Sequence, residues 1–203
     1  MSATNICNLA LGRIGSKRIN NIETDNTVEA IQCRIHYAQT RDALIRSHWW
    51  RFATKRAELS QDITDPAFGW NNQFVLPVDF LRLKRVYSND YPTKRSFSIE
   101  GDRILTNEDT VNITYIALVE DTSKFDALFI EVLVLRLAIK LVMPLAQDNV
   151  LRRDLSVELQ PLMSQVRTID FQEQNNTGRN DHRTWNDARY RGSLGIDDSR
   201  LGS

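Results

Sequence analysis

The stretch Phe125-Asp126-Ala127-Leu128-Phe129-Ile130-Glu131-Val132-Leu133-Val134-Leu135-Arg136-Leu137-Ala138-Ile139-Lys140-Leu141-Val142-Met143 decides the fold. Its residues Leu128, Phe129, Val132, Leu133, Leu135, Leu137, Ala138, Leu141 and Val142 wrap most of the way round a helix, and such a helix is buried on nearly all sides. It therefore needs other elements packed around it, and the rest of the chain must supply them. Downstream, Pro144 breaks the pattern. A further helix is expected from about Gln147 to Phe171, with a narrower stripe of Val150, Leu151, Leu155, Leu159, Leu162 and Val166, and with Pro161 expected to kink it. Beyond Gln174 the chain is rich in Asn, Gly, Asp and Arg and cannot build a core alone.

Upstream of the central stretch, from Trp49 to Val119, the pattern is extended. Phe74-Val75-Leu76-Pro77 and Leu81-Arg82-Leu83-Lys84-Arg85-Val86-Tyr87 are apolar or alternating segments, as is Val111-Asn112-Ile113-Thr114-Tyr115-Ile116, and alternation of period two marks a half-buried strand. Ser96-Phe97-Ser98-Ile99 and Arg103-Ile104-Leu105 flank Glu100-Gly101-Asp102, a hairpin whose glycine supplies a positive φ. One antiparallel sheet of about four or five strands is the expectation.

The first fifty residues read as helix, connector, helix. Ile6, Leu9, Ala10 and Ile14 share one face of a short helix whose end is weakened by Gly12 and Gly15. After a connector from Ser16 to Thr24, Asp25 or Asn26 is placed to cap a helix running to about Ser47. Its inward face is expected to carry Val28, Ile31, Ile35, Ala38, Asp42 and Ile45, with Asp42 in an ion pair to Arg46 at the helix edge. The fold class is thus α+β: a helical bundle built from residues 1–48 and 120–174, an inserted antiparallel β region over 49–119, and an extended C-terminal arm over 175–203.

Composition narrows the function. The 203 residues carry 26 Lys and Arg against 26 Asp and Glu, so the chain is no polycation. No run approaches the roughly 18 to 20 consecutive apolar residues that cross a bilayer, and Met1-Ser2-Ala3-Thr4-Asn5 lacks the blocks of a signal peptide, so a soluble chain made in a cytosol is expected, without a membrane partner. Cys7 and Cys33 are too few for a disulfide framework and are expected as small buried residues. Cys33 and His36 lie three apart with His48 nearby, but a structural zinc site needs a second ligand pair and none is present, so no metal is expected. His48 is expected to end the helix and seat Trp49 and Trp50. No nucleophile elbow led in by a strand, phosphate-binding loop or dinucleotide fingerprint occurs, and neither an enzyme nor a cofactor is expected. Arg51, Lys55, Arg56, Arg82, Lys84 and Arg85 punctuate the extended region, yet acidic residues are interleaved, so a single-sign nucleic-acid footprint is not expected.

What remains is a surface for other proteins. At roughly 3.3 Å per residue the arm could reach about 95 Å, beyond the approximately 17 Å radius of gyration of a compact chain of this size. Trp185, Arg189, Tyr190, Leu194 and Ile196 are spaced along it as candidate partner-interface anchors, with Trp185 foremost because interface energy concentrates in a few aromatic and arginine residues.

The order of parts resembles the head-to-tail adaptor proteins of short-tailed bacteriophages, also called tail tubular protein A. The resemblance rests on Asn8-Leu9-Ala10-Leu11-Gly12-Arg13-Ile14-Gly15, Ile19, Ile22-Glu23-Thr24-Asp25-Asn26-Thr27, Ala30 and Arg41-Asp42-Ala43-Leu44-Ile45-Arg46. It continues through Trp50-Arg51-Phe52-Ala53-Thr54-Lys55-Arg56-Ala57-Glu58-Leu59, Phe74-Val75-Leu76-Pro77-Val78-Asp79-Phe80-Leu81-Arg82, Tyr115, Asp121-Thr122-Ser123-Lys124-Phe125-Asp126 and Leu137-Ala138, and it spans about residues 3 to 171. It implies a noncatalytic virion protein, a ring of twelve copies that joins the portal protein to the tail nozzle protein while genomic DNA passes through the lumen without specific binding. It places the protein in the virion tail, and in the host cytoplasm during assembly. The alternative is a helical DNA-binding regulatory protein.

Overall fold

The computed structural model describes residues 1–88, 91–92 and 96–175. Among these the elements run α1 (Ala3–Arg13), α2 (Val28–Ser47), β1 (Thr54–Glu58), β2 (Asn72–Val75), β3 (Phe80–Ser88), β4 (Tyr91–Pro92), β5 (Phe97–Glu100), β6 (Arg103–Thr106), β7 (Asn112–Ala117), α3 (Ala127–Leu141) and α4 (Asn149–Asn175). All strands lie between α2 and α3 in the chain, and the fold is α+β. The chain divides into two compact units, Met1–Met163 and Ser164–Ser203.

In the first unit α3 is the centre, and both α1 and α2 pack against it. Phe129, Val132, Leu133, Leu137, Ala138 and Leu141 are completely or almost completely shielded from solvent, as the wrap-around pattern requires. At its N-terminal end Phe129 meets Trp50, Phe52 and Phe125 edge-on, with ring centroids 5.0, 5.0 and 4.8 Å apart. Asp126 caps α3 by accepting from Leu128 N–H. The helix runs into a π-helical turn, Val142–Ala146, that contains Pro144 and ends at Gln147 with φ 53°. α4 then continues through Pro161, which stands on its exposed side, where the carbonyl left without an N–H partner can take water.

α1 begins at the Ser2 hydroxyl, which accepts from Asn5 N–H, and stops at Gly15, whose φ of 70° lets Ser16 N–H return to the Leu11 carbonyl at 3.0 Å. Its buried residues are Ile6, Cys7, Ala10 and Leu11, while Leu9, expected inward, is exposed. Thr27, not Asp25 or Asn26, caps α2, with its hydroxyl accepting from Ala30 N–H. The Asp25 carboxylate instead accepts from Asn20 and Thr27 N–H and closes the connector. The connector docks through Asn8, whose amide exchanges two hydrogen bonds with the Ile19 backbone at 2.8 and 2.9 Å.

The inward face expected for α2 is corrected by the structure. Ala30, Cys33, Tyr37, Thr40, Arg41, Leu44 and Ile45 are buried; Val28, Ile31, Ile35 and Ala38 are exposed, and of the expected set only Ile45 faces the core. Small Ala30 and Cys33 permit close approach, and Thr40 and Arg41 are satisfied where they lie. Thr40 Oγ1 donates to the His36 carbonyl at 2.6 Å, and the Arg41 guanidinium donates to Asp42 at 2.7 Å and to Glu120 at 3.1 Å. Asp42 thus pairs with Arg41 and not with Arg46, because Arg46 donates instead to the Leu81 carbonyl at the start of β3.

The β region forms two antiparallel sheets where one was expected, with strand orders β1-β7-β3-β4 and β2-β6-β5. The β5–β6 hairpin turns at Gly101, φ 58°, as its sequence requires. The sheets share one core: Phe74 and Ile104 from the smaller, and Val86, Ile113, Tyr115 and Ala117 from the larger. In the larger sheet Ala57, Ile113 and Val86 are in register on this inner side, and Arg56, Thr114 and Arg85 form the next row on the opposite side. Register shifts in β3 at Leu81 and Lys84 keep both rows facing correctly.

Candidate functional site

Three outward features could meet a partner. The first is the α2 face opposite the core. Val28, Ile31 and Ile35 recur at i, i+3 and i+7 and are 62%, 41% and 51% exposed. A second aliphatic pair stands on α4, where Val150 and Val157 are 63% and 65% exposed, whereas Leu155 on the same helix is buried. Of the stripe expected for α4, Val150 therefore faces the wrong way. Isolated exposed aliphatics need no explanation, but a row along one helix face marks a contact surface.

The second feature lies on the outer side of the larger sheet. Arg56, Glu58, Tyr87, Asn112 and Thr114 line a recess of about 460 Å³. The Thr114 hydroxyl, and after it the Arg85 and Arg56 guanidiniums, favour the phenolate and hold Tyr87 below the ordinary tyrosine range against the effect of burial. With Glu58 inside the same recess, the site has mixed charge and suits local polar contact better than a polyanion.

Folding separates the other basic residues singled out from sequence. Lys55 is paired with Asp79 at 2.6 Å, and Asp79 also accepts from the Tyr115 hydroxyl at 2.9 Å. Arg82 lies over the Trp49 ring at 4.0 Å, with Lys84 at 5.8 Å. Arg51 falls in a short 3₁₀ turn, Arg51–Ala53. The two indoles expected to sit together at the end of α2 divide: Trp49 lies under these cations, while Trp50 is buried and donates from Nε1 to the Leu44 carbonyl at 3.0 Å. His48 packs edge-on against Trp50 at 5.1 Å.

The third feature is the loop between β1 and β2. Its base is tied by Arg103 Nε donating to Asp62 at 2.6 Å and by Gln73 Nε2 donating to the Thr64 carbonyl at 2.6 Å, yet Ile63 and Phe68 stand in solvent.

Cys33 and His36 do not converge. Cys33 is buried beside Cys7, whose thiol is held well above the ordinary range by its hydrogen bond with Cys33 and then by burial. His36 lies partly exposed, its pKa lowered by burial and by the charge of Lys140. Among the described residues no group of three or more His, Cys, Asp and Glu side chains is placed to hold a metal ion, and no helix is long and apolar enough to cross a membrane. The anchors Trp185, Arg189, Tyr190, Leu194 and Ile196 lie outside the described residues. The α4 pair is not legible as a surface in the stripe pattern, because Val150 falls within the stripe expected inward. The signal that could have found it is the seven-residue spacing of Val150 and Val157, offset from Leu151 and Leu155.

No protein-family model and no curated protein sequence matches the chain.

Proposed function

We propose that this chain is a structural subunit of a phage virion, a head-to-tail adaptor that forms a ring between portal and tail nozzle through which the genome passes. The observation that carries this reading is the outward aliphatic row Val28, Ile31 and Ile35 on α2, a surface suited to a neighbouring subunit. The order of parts in the sequence supports it, and so does the zero net charge, which limits repulsion between many copies packed side by side. In this reading the ring has about twelve copies, as the sequence resemblance implies, and carries no catalytic site. The contact between copies is head-to-tail, since such a contact closes into a ring when the rotation divides evenly. The lumen is neutral or acidic, because a strongly basic wall would hold phosphates and slow the DNA.

The test is the protein inventory of purified virions together with cryo-EM of the head-tail junction. The expected result is this chain at ring-like copy number between portal and nozzle. Absence from virions, with strongly salt-dependent binding of the free protein to short duplex DNA, would overturn the reading in favour of a DNA-binding regulator.

A further inference from the structure

We infer that the Val28, Ile31 and Ile35 row of α2 on one copy of this chain packs in parallel against the Val150 and Val157 row of α4 on the next copy. The inference rests on the ring reading above and names the two faces that meet. Three independent features of the first compact unit support it.

The first is spacing. Val28 and Ile35 are seven residues apart, as are Val150 and Val157, so at about 1.5 Å per residue both rows repeat every 10.5 Å or so. Val28 can stand beside Val150 while Ile35 stands beside Val157, with Ile31 between them.

The second is charge. At about 100° per residue, Arg34 flanks the α2 row on the side of decreasing angle, and Asp154 and Arg153 flank the α4 row on opposite sides. When two right-handed helices face each other in parallel, the side of one with increasing angle meets the side of the other with decreasing angle. Arg34 then lies beside Asp154, within about two residues of axial offset in this register. Antiparallel packing would instead bring Arg34 to Arg153, a repulsive pair. Among the described residues Arg34 forms no salt bridge and donates only to the Ile22 and Asp25 carbonyls. Arg153 and Asp154 contact each other loosely at 3.9 Å, with both side chains mostly exposed.

The third is direction. α2 runs antiparallel to α3, since Trp50, just past its C-terminal end, meets Phe129, near the start of α3, while its N-terminal half lies toward the end of α3, where Lys140 acts on His36. α4 turns back after Ala146, since its Met163 lies 4.0 Å from Arg136 in the middle of α3, so its first half runs back toward the start of α3. α2 and the first half of α4 therefore run in the same general direction within one copy. Rotation about a ring axis along them keeps them parallel between neighbours, the arrangement that the charges favour.

The experiment uses the full-length chain, its fold checked by circular dichroism, with association followed by sedimentation and by assembly onto portal-bearing heads. Ile35→Asp blocks one face and Val157→Asp the other. Each alone is expected to weaken self-association about a hundredfold, because a carboxylate would be buried without a partner. Mixed together, the two variants should form a one-to-one pair and nothing larger, since each keeps one intact face. Arg34→Glu should weaken assembly and Asp154→Arg in the same chain should restore it. In assembled rings, cysteines placed at 35 and 157 should crosslink, while cysteines at 28 and 157 should not. Rings that form undiminished with Val157→Asp, or a 35-to-35 crosslink between two copies, would overturn the inference and leave the adaptor reading standing. Failure of the unaltered protein to assemble on heads, with its absence from virions, would remove that reading, and this inference with it.

Discussion

Helices α2 and α3 lie against each other, yet their sequences relate to their surroundings in opposite ways. In α3 the apolar residues go nearly all round, so any orientation buries most of them, and the structure buries Phe129, Val132, Leu133, Leu137 and Leu141 as expected. In α2 two faces compete. An aliphatic row, Val28, Ile31 and Ile35, is left outside, and the face holding Ala30, Cys33, Tyr37, Thr40, Arg41, Leu44 and Ile45 goes in. The difference teaches that hydrophobic periodicity locates a helix more reliably than it orients one. A buried polar group costs little once its hydrogen bonds are made, and an aliphatic row can be kept for a surface outside the subunit.

The strongest way to break this contrast is at Phe129. Phe129→Ala removes the ring that Trp50, Phe52 and Phe125 all contact and should destabilise the protein by about 3–5 kcal/mol, read from urea unfolding. A loss below about 1 kcal/mol would mean that the centre of the bundle lies elsewhere.

A smaller effect tests the polar face of α2. Arg41→Ala removes the charged hydrogen bonds to Asp42 and Glu120 and the contact with the Tyr37 ring, and should cost about 2 kcal/mol, since the guanidinium is buried but both carboxylates are reached by solvent. Burial opposes the Arg41 charge, and the two carboxylates more than offset it. An Arg41→Ala protein as stable as the parent would show that this face is buried passively.

The pH dependence should sharpen the contrast further. Burial pushes Tyr37 up to about 12, and its hydroxyl has no hydrogen-bond partner among the described residues; burial and the bond to Asp79 push Tyr115 up to about 12 as well. Both are held neutral in the folded state, so the stability they contribute is complete below the ordinary tyrosine pKa of about 10 and is lost as pH rises from there toward 12. Tyr87 moves the other way. Absorbance titration of tyrosinate should show one early and two late ionisations from these three residues, and unfolding should follow the late ones. Tyr37 ionising at the ordinary pH would contradict its burial.

The smallest expected effect concerns the outer row. In the separated subunit Ile35→Ala should change stability by no more than about 0.5 kcal/mol, measured in the same urea series, because the residue lies in solvent. A loss of 2 kcal/mol or more would show that Ile35 packs inside its own subunit and would erase the contrast with α3.

Much of the fold was legible in the sequence, and particular residues show why. The β5–β6 hairpin followed from Gly101 between two alternating segments, because so few conformations close that turn. Strand β1 was not singled out, since Thr54-Lys55-Arg56-Ala57-Glu58 lies at a sheet edge and buries only part of one side, which leaves no clear alternation. The split into two sheets was equally hidden: alternation reports that a strand has an inner face but not which neighbour it pairs with. Among the candidate surfaces, the scattered arginines gave no warning that Arg56 and Arg85 would flank Thr114 in one row, because the row exists only through the pairing of three strands distant in the chain.

By itself the sequence determined the α+β class, the position of the strands between helical segments, the tight turn at Gly101 and the buried character of α3. Each of these rests on interactions between residues near in the chain, or on an apolar content so complete that no alternative orientation exists. Only the tertiary structure decided which face of α2 goes inward, that Asp42 serves Arg41, that Cys7 meets Cys33, and that Val150 and Val157 stand outside. Those outcomes depend on how closely α1 and α3 approach and on which carbonyls and carboxylates wait there, quantities set by the packed whole and absent from any local window.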